Sequence, residues 1–267
     1  MGQPIVVVDS FTEVPFAGNP AAVCVLPHPT TEAWMQAVAR EMNLSETAFV
    51  VRRDDGDGDY DLRWFTPAVE IDLCGHATLA TAHVVGGSAR YHTLSGVLTC
   101  RQAEDGQIEM DFPSRPPEPW ADPPDWSTAL GVPADRIVAV LALGERALVE
   151  LASPADVRAC APDSDAVLEL GGFVIVSSAP GDRDGIDAVS RVFAPGVGID
   201  EDPVTGAAHC SIAPWLTART GRTAFVGEQA SARGGIVGMR LEGDRVVLRG
   251  HAVTVLEGTL RSDPPPA

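Results

Sequence analysis

The chain has 267 residues, 45% of them hydrophobic and 21% charged, enough for one large or two medium domains with ample core and too apolar for disorder. Its 37 acidic residues against 19 basic ones leave a net charge of −18, which argues against nucleic acid and against anionic membrane surfaces as partners. All 19 basic residues are arginine, so Schiff-base chemistry on a lysine and a P-loop lysine are both excluded.

In chain order, Ile5–Asp9 is a β-branched run that reads as a buried strand, and Ala21–Leu26 follows as another after the turn-forming Gly18-Asn19-Pro20. Trp34, Ala37, Val38 and Met42 fall near helical spacing and predict an amphipathic helix over 31–42. Ala48–Val51 and Leu62–Phe65 read as strands around a polar turn from Asp54 to Asp61, Ala77–Val85 as a buried helix, and Val97–Cys100 with Ile108–Phe112 as a hairpin. Proline density from Pro113 to Pro124 predicts a linker over 116–126 between halves 1–115 and 127–262. Beyond it come strands near 137–143 and 147–151, an acidic helix near 154–169, a strand at 173–176 and a closing hairpin near 237–248. Ala252–Leu260 is long enough to cross back onto the first half, and residues 263–267 read as a disordered tail.

One phrase occurs twice. Phe65-Thr66-Pro67-Ala68-Val69-Glu70-Ile71-Asp72 returns as Phe193-Ala194-Pro195-Gly196-Val197-Gly198-Ile199-Asp200, and each copy runs into a glycine and an alanine-rich, helix-prone stretch. A period near half the chain length predicts two similar halves rather than a solenoid. Each glycine, Gly75 and Gly206, would open a helix whose unpaired N–H groups and positive dipole end bind a carboxylate without any lysine. Read alone, a glycine before a helix is only a tight turn; the duplication favours the functional reading.

His76 stands at the first of these helix starts, where the dipole is expected to lower its pKa and favour the neutral ring. Asp202 precedes Gly206 by four residues and could join a carboxylate–imidazole pair for proton transfer, although each residue alone has an equally good structural reading. Glu46, at a strand entrance, is by composition a weak candidate. Cys74-x-His76 and His209-Cys210 lack zinc-site spacing, so no metal is expected, and no GxSxG elbow supports a serine hydrolase. The five cysteines are odd in number and scattered, the pattern of reduced thiols in a cytoplasm. Neither a signal peptide nor an apolar run of about 20 residues is found.

Val8-Asp9-Ser10-Phe11-Thr12, Pro15 through Val23, Asn43-Leu44-Ser45-Glu46-Thr47-Ala48-Phe49, Leu73 through Thr78 and Asp202 through His209 resemble the PhzF-like family of phenazine-biosynthesis-type isomerases, as does the ending Gly250…Glu257-Gly258. The resemblance spans nearly the whole chain. It implies an α+β, diaminopimelate-epimerase-like fold of two pseudo-symmetric halves, each a mixed β-sheet curled around a central helix, with the site between them. It also implies a cofactor-independent isomerase, usually a homodimer, acting on a small anionic metabolite.

By match to the family motif, Glu46 would be the general acid/base that moves a proton between two carbons. His76 and Asp202 would orient the substrate, and Gly75, Gly206 and Ala207 would line its binding site. Two departures stand out. Racemases of this fold use a cysteine at each helix start; Cys74 matches the first, but Pro203 occupies the second place. The phenazine enzyme carries a serine where this chain has Ala207, which removes a hydroxyl from the substrate site. The rival readings are an amino-acid-type racemase or epimerase in the same cleft, and a ligand-binding protein that has lost turnover.

Overall fold

The computed structural model describes residues 2–54 and 58–267, so the centre of the polar turn expected from Asp54 to Asp61, at 55–57, lies outside the described residues. The chain divides into two compact units, one of residues up to Asp111 together with Arg249–Ala267, the other Phe112–Leu248.

The first unit runs β1 (Gln3–Ser10), β2 (Asn19–Leu26), α1 (Glu32–Met42), β3 (Glu46–Arg52), β4 (Asp59–Phe65), β5 (Glu70–Ile71), α2 (Gly75–Val85), β6 (Ser88–Thr93), β7 (Gly96–Gln102) and β8 (Ile108–Pro113). β1 and β2 pair antiparallel, and α1 carries the chain across to a parallel β3. β3, β4 and β5 then run antiparallel, and α2 crosses over to β6, parallel to β4, before β6, β7 and β8 close antiparallel. The expected elements are present; β5 and β6 are additional.

Every residue of α2 from Gly75 to Ala82 is buried. The helix touches β1, β2 and β3 as well as β6 and β7. A helix apolar on all sides must be covered on all sides, and the sheet achieves this by curling around it. α1 is amphipathic and covers the sheet's outer face, where Met35 and Val38 join Ile5, Cys24, Phe49 and Phe65 in one cluster.

The second unit contains β9 (Glu118–Pro119), α3 (Ser127–Leu130), β10 (Ile137–Leu143), β11 (Arg146–Leu151), α4 (Pro154–Ala159), α5 (Ser164–Glu169), β12 (Val174–Ser178), β13 (Ala188–Ala194), β14 (Ile199–Asp202), α6 (Gly206–Thr220), β15 (Ala224–Gln229), β16 (Gly235–Glu242) and β17 (Arg245–Gly250). β10 and β11 are antiparallel, β12 is parallel to β11, β13 and β14 return antiparallel, and β15 is parallel to β13 across α6. From β10 to β16 this is the sequence of pairings that β1 to β7 show. The repeated phrase is therefore the visible remnant of a repeated topology.

Three sequence expectations are corrected. The stretch 116–126 is not a free linker. Glu118 and Pro119 pair with Ala142 and Leu141, and Trp126, fully buried, packs with Leu130, Val149 and Phe193 in the core. The acidic segment 154–169 is two helices, because Pro162 lacks an N–H and bars helical backbone before it. Ser153 caps the first helix, and the Asp163 carboxylate caps the second by accepting from the N–H groups of Asp165 and Ala166. The tail 263–267 is docked: the Thr30 hydroxyl donates to the Pro265 carbonyl at 2.6 Å, and Thr30 forms a β-bridge with Pro266. Prolines already fix extended backbone, so this docking costs little entropy. Just before it, the final strand β18 (Ala252–Leu260) lies antiparallel along β1.

Candidate active site

Both copies of the repeated phrase build the same device. In the first unit β4 ends at Phe65, a turn bound by the Thr66 hydroxyl follows, and Ile71 of β5 pairs back with Trp64 before α2 starts at Gly75. In the second, β13 carries Phe193, a single 3-10 turn over 195–197 follows, and Asp202 of β14 pairs back with Val192 before α6 starts at Gly206. Neither N-cap residue, Cys74 or Thr205, caps its helix with its side chain. The first-turn N–H groups of both helices thus receive no side-chain cap.

At the α2 start the structure brings Glu46, Cys74, His76 and Gly75 together. Glu46 is the first residue of β3, held in register opposite Ala21 of β2. Its Oε2 lies 3.0 Å from His76 Nε2, and both residues are more than nine-tenths buried. The contact is an ion-pair distance with poor alignment, so neither atom completes a hydrogen bond to the protein. On the other side of the ring, Asn19 Nδ2 is 3.1 Å and Cys74 Sγ 3.5 Å from Nδ1. The Ser10 hydroxyl donates to the His76 carbonyl at 2.8 Å and fixes the helix start.

The electrostatics reverse one expectation. Burial opposes a charged His76, but the Cys74 sulfur and the Glu46 carboxylate outweigh it, and the imidazole is held well above its ordinary pKa. A helix dipole contributes about 0.3–1 kcal/mol, too little against a carboxylate at 3.0 Å in a buried setting. Burial, reinforced by the nearby Glu46 charge, pushes the Cys74 thiol up to about 11, so it is a thiol and not a thiolate at neutral pH. Glu46, Cys74 and His76 gather ligand-type atoms within 4.8 Å of one another. The sulfur and the carboxylate, however, flank opposite nitrogens of the ring, so no single point is well placed to take a lone pair from all three.

Asp202, Gly206 and Ala207 belong to the second unit. There the Thr205 hydroxyl donates to Asp202 Oδ2 at 2.5 Å. Fully buried Gln229 ties the helix start from both sides: its amide donates to the Asp202 carbonyl at 2.7 Å, and its Oε1 accepts from the Thr205 N–H at 2.8 Å. His209 Nδ1 donates to the Thr205 carbonyl at 2.9 Å, and burial lowers its pKa to about 4, so this histidine is neutral. Asn19 and Gln229 were not singled out from sequence. Asn19 stood in a Gly-Asn-Pro signal read only as a turn, and Gln229 sits in a stretch with no motif at all.

A strand–hairpin–helix device built twice, each time inside a curled mixed sheet, is the architecture of the PhzF, proline racemase and diaminopimelate epimerase-like fold. A probable proline racemase from Agrobacterium radiobacter shares it, with a TM-score of 0.63 at 12% identity over 98% of this chain and 94% of that one. The match is closer within one family. Residues 8–258 fit the PhzC-PhzF model, phenazine biosynthesis-like protein, and the chain belongs to that family. A protein named as an uncharacterized isomerase in Pseudomonas aeruginosa is 44% identical over 261 residues, covering 95% of this chain and 97% of its own. The crystal structure of a PhzF-family phenazine biosynthesis protein from Enterococcus faecalis superposes with a TM-score of 0.89 at 39% identity, over 98% and 100% of the two chains. The chain is accordingly an enzyme of isomerase or epimerase type. Among the described residues, no helix is long and apolar enough to cross a membrane.

Proposed function

We propose that the protein is a cofactor-independent isomerase that shifts a proton, and with it a double bond, in a small carboxylated metabolite. One observation carries this reading. Glu46 Oε2 and His76 Nε2 are buried, 3.0 Å apart, and each retains an unused hydrogen-bonding valence. Buried polar atoms left in this condition are costly unless something else satisfies them; a substrate C–H acidified by a neighbouring unsaturated group fits the carboxylate, and a substrate oxygen fits the imidazole N–H.

Glu46 acts as the general base that takes the proton and, once protonated, as the acid that returns it to another carbon. His76 holds the carboxylate in place and answers its change of charge, while Asn19 and Ser10 hold His76. In the first unit the Gly75 start of α2 offers N–H groups to the charge that develops on the substrate. In the second, Asp202, Gly206 and Ala207 are assigned as substrate contacts, with Gln229 and Thr205 fixing the Asp202 backbone. A racemase would need a second base on the opposite face of one carbon. Pro203 gives none at the second helix start, and Cys74, its pKa about 11, is a poor base at the first.

The test is incubation in deuterated water with dihydroaromatic and cyclic imino carboxylic acids. Incorporation of deuterium by the wild type, lost in Glu46→Gln, is the expected result. Equal incorporation by Glu46→Gln would remove Glu46 from the mechanism.

A further inference from the structure

Two arginines stand at the same place in the two copies of the repeated phrase, each two residues before its phenylalanine: Arg63 before Phe65 on β4, and Arg191 before Phe193 on β13. Both guanidinium forks close on a carboxylate of the return strand, and through the same atoms. Arg63 Nε donates to Glu70 Oε1 and Nη2 to Oε2, each at 2.6 Å. Arg191 Nε donates to Glu201 Oε1 at 2.7 Å and Nη2 to Oε2 at 2.9 Å. Each guanidinium carbon also stands over the phenylalanine of its own copy, 5.2 Å from the centroid of the Phe65 ring and 4.8 Å from that of Phe193. Aligned by the phrase, Glu70 falls on Gly198 and the match is hidden. Counted back from the glycines that open the helices, Glu70 and Glu201 both stand five residues earlier.

A third bond ties each fork to the layer outside the sheet. Arg63, opposite Phe49 on the face that α1 covers, reaches Glu32 Oε2 of α1 from Nη2 at 3.1 Å. Arg191, opposite Val176 on the face that α4 covers, donates from Nη1 to the Cys160 carbonyl at the end of α4 at 2.7 Å. The outer partners differ while the fork is kept, so the fork is not a by-product of one local packing. A single-point surface ion pair adds little. A planar guanidinium gripped at two points fixes direction as well as distance, and the Arg191 side chain is only 13% exposed.

What the fork fixes is the facing of the return strand. Successive side chains of a strand point to opposite faces. β14 reads Ile199-Asp200-Glu201-Asp202, three acids in a row that charge alone does not tell apart. Holding Glu201 against Arg191 turns Asp202 to the other face, where its Oδ2 takes the Thr205 hydroxyl beside the α6 start. In the first unit the same hold on Glu70 sets the short lead into Gly75 and His76. We propose that Arg63 and Arg191 are positioning residues, each setting the helix start of its own unit from the far face of the sheet, and that Arg191 selects which acid of β14 faces α6. The consequence for turnover rests on the isomerase reading; the structural consequence does not.

Amide NMR spectra of the isotope-labelled full chain are recorded for the wild type, Arg63→Met, Arg191→Met, Arg63→Lys and Arg191→Lys, with circular dichroism and thermal melts checking that each variant folds. Arg191→Met is expected to shift the Asp202, Thr205 and Gly206 resonances and leave Gly75 and His76 in place; Arg63→Met is expected to do the reverse. The lysine variants keep the charge but lose the fork, so they should shift the same resonances as far as methionine does. Deuterium incorporation at saturating substrate should fall at least about tenfold in both methionine variants, because small displacements at a reacting centre are costly. Where a methionine variant does not fold, Glu70→Gln or Glu201→Gln, which keeps the side-chain shape and weakens the fork, takes its place and should shift the same residues. Unmoved helix-start resonances in a folded variant overturn the proposal, as do shifts spread equally over both units, wild-type shifts restored by lysine, or undiminished deuterium incorporation. A wild type that incorporates no deuterium would sink the isomerase reading instead, and the shifts alone would then decide the role of the arginines.

Discussion

The Glu46–His76 pair makes a prediction whose sign is set by its burial. A histidine whose pKa is raised by folding contributes stability that is present in full below its unfolded value, about 6.5, and is lost as pH rises through the folded value. His76 is raised. Between those two values one proton separates the folded and unfolded states, so wild-type stability falls by up to about 1.4 kcal/mol per pH unit from this group. The attraction behind it is strong: two unit charges at 3.0 Å interact by about 5 kcal/mol at an effective dielectric near 20, against which burial subtracts.

In Glu46→Gln the carboxylate is gone, and only the Cys74 sulfur is left to oppose burial of the imidazole. The folded pKa is then raised less than in the wild type, so the stability that His76 loses as pH rises is smaller. The assay is urea unfolding of both proteins at half-unit steps from pH 5 to 9, with the His76 ring followed by NMR. His209, buried and held at about 4, titrates the same way in both proteins and cancels from the difference. The stability difference, wild type minus variant, should shrink steadily from pH 6.5 upward. A difference that is flat or grows over that range, or a His76 resonance that titrates alike in the two proteins, would refute the assigned cause.

Three further outcomes follow from packing and burial. Gly250→Ala puts a methyl carbon 2.5 Å from Phe11 Cδ1 and 3.0 Å from Leu79 Cδ1. Phe11 is buried in the left-handed backbone region and cannot retreat, so a loss of about 1–3 kcal/mol is expected in thermal unfolding. Arg219→Ala strips buried Glu150 of the guanidinium 2.6 Å away. Because Arg219 is itself partly exposed, the expected loss is about 1–2 kcal/mol, recovered in large part when Glu150→Gln is added. All five cysteines are buried and none is in a disulfide, with Cys24 and Cys100 pushed up to about 12 and Cys74 and Cys160 to about 11 by burial first of all. A chromogenic disulfide at pH 8 should therefore label none of them in the native protein and all five in urea; rapid native labelling would contradict the burial.

Most of the fold was legible because its elements carry strong local patterns. Buried β-branched runs marked β1 and β12, a half-buried apolar run marked β10, and the unbroken apolarity of 77–85 marked a helix. β6 escaped notice because only Ala89 and Tyr91 of its six residues are buried, and its place is set by parallel pairing with β4. The prolines of 116–126 misled for a related reason. An edge segment such as β9 tolerates proline, and Trp126 draws the stretch into the core by a contact that composition does not reveal. At the site, Glu46, His76 and Asp202 came from motif resemblance and the helix starts from the repeat. The sign of the His76 shift did not, because it depends on the Cys74 sulfur together with a carboxylate 30 residues away in sequence and adjacent only in space.

The two copies of the device show what duplication of a scaffold does and does not conserve. Each retains a strand, a return hairpin and a helix start with no side-chain cap, because those features follow from backbone topology. The groups behind the helix start are free to differ. Behind α2 stand a carboxylate and an imidazole whose protonation states depend on each other, with Asn19 and Cys74 against the far side of the ring. Behind α6 stand a neutral amide and a histidine held unprotonated by burial, both bonded to the backbone of 202–205, and the Thr205 hydroxyl, which donates to the Asp202 carboxylate. A coupled, incompletely bonded pair can exchange a proton at little structural cost; a network bonded largely to main chain fixes geometry. On the reading proposed above, the first copy moves charge and the second holds position, and Glu46, outside both copies of the repeated phrase, is the residue that makes them unequal.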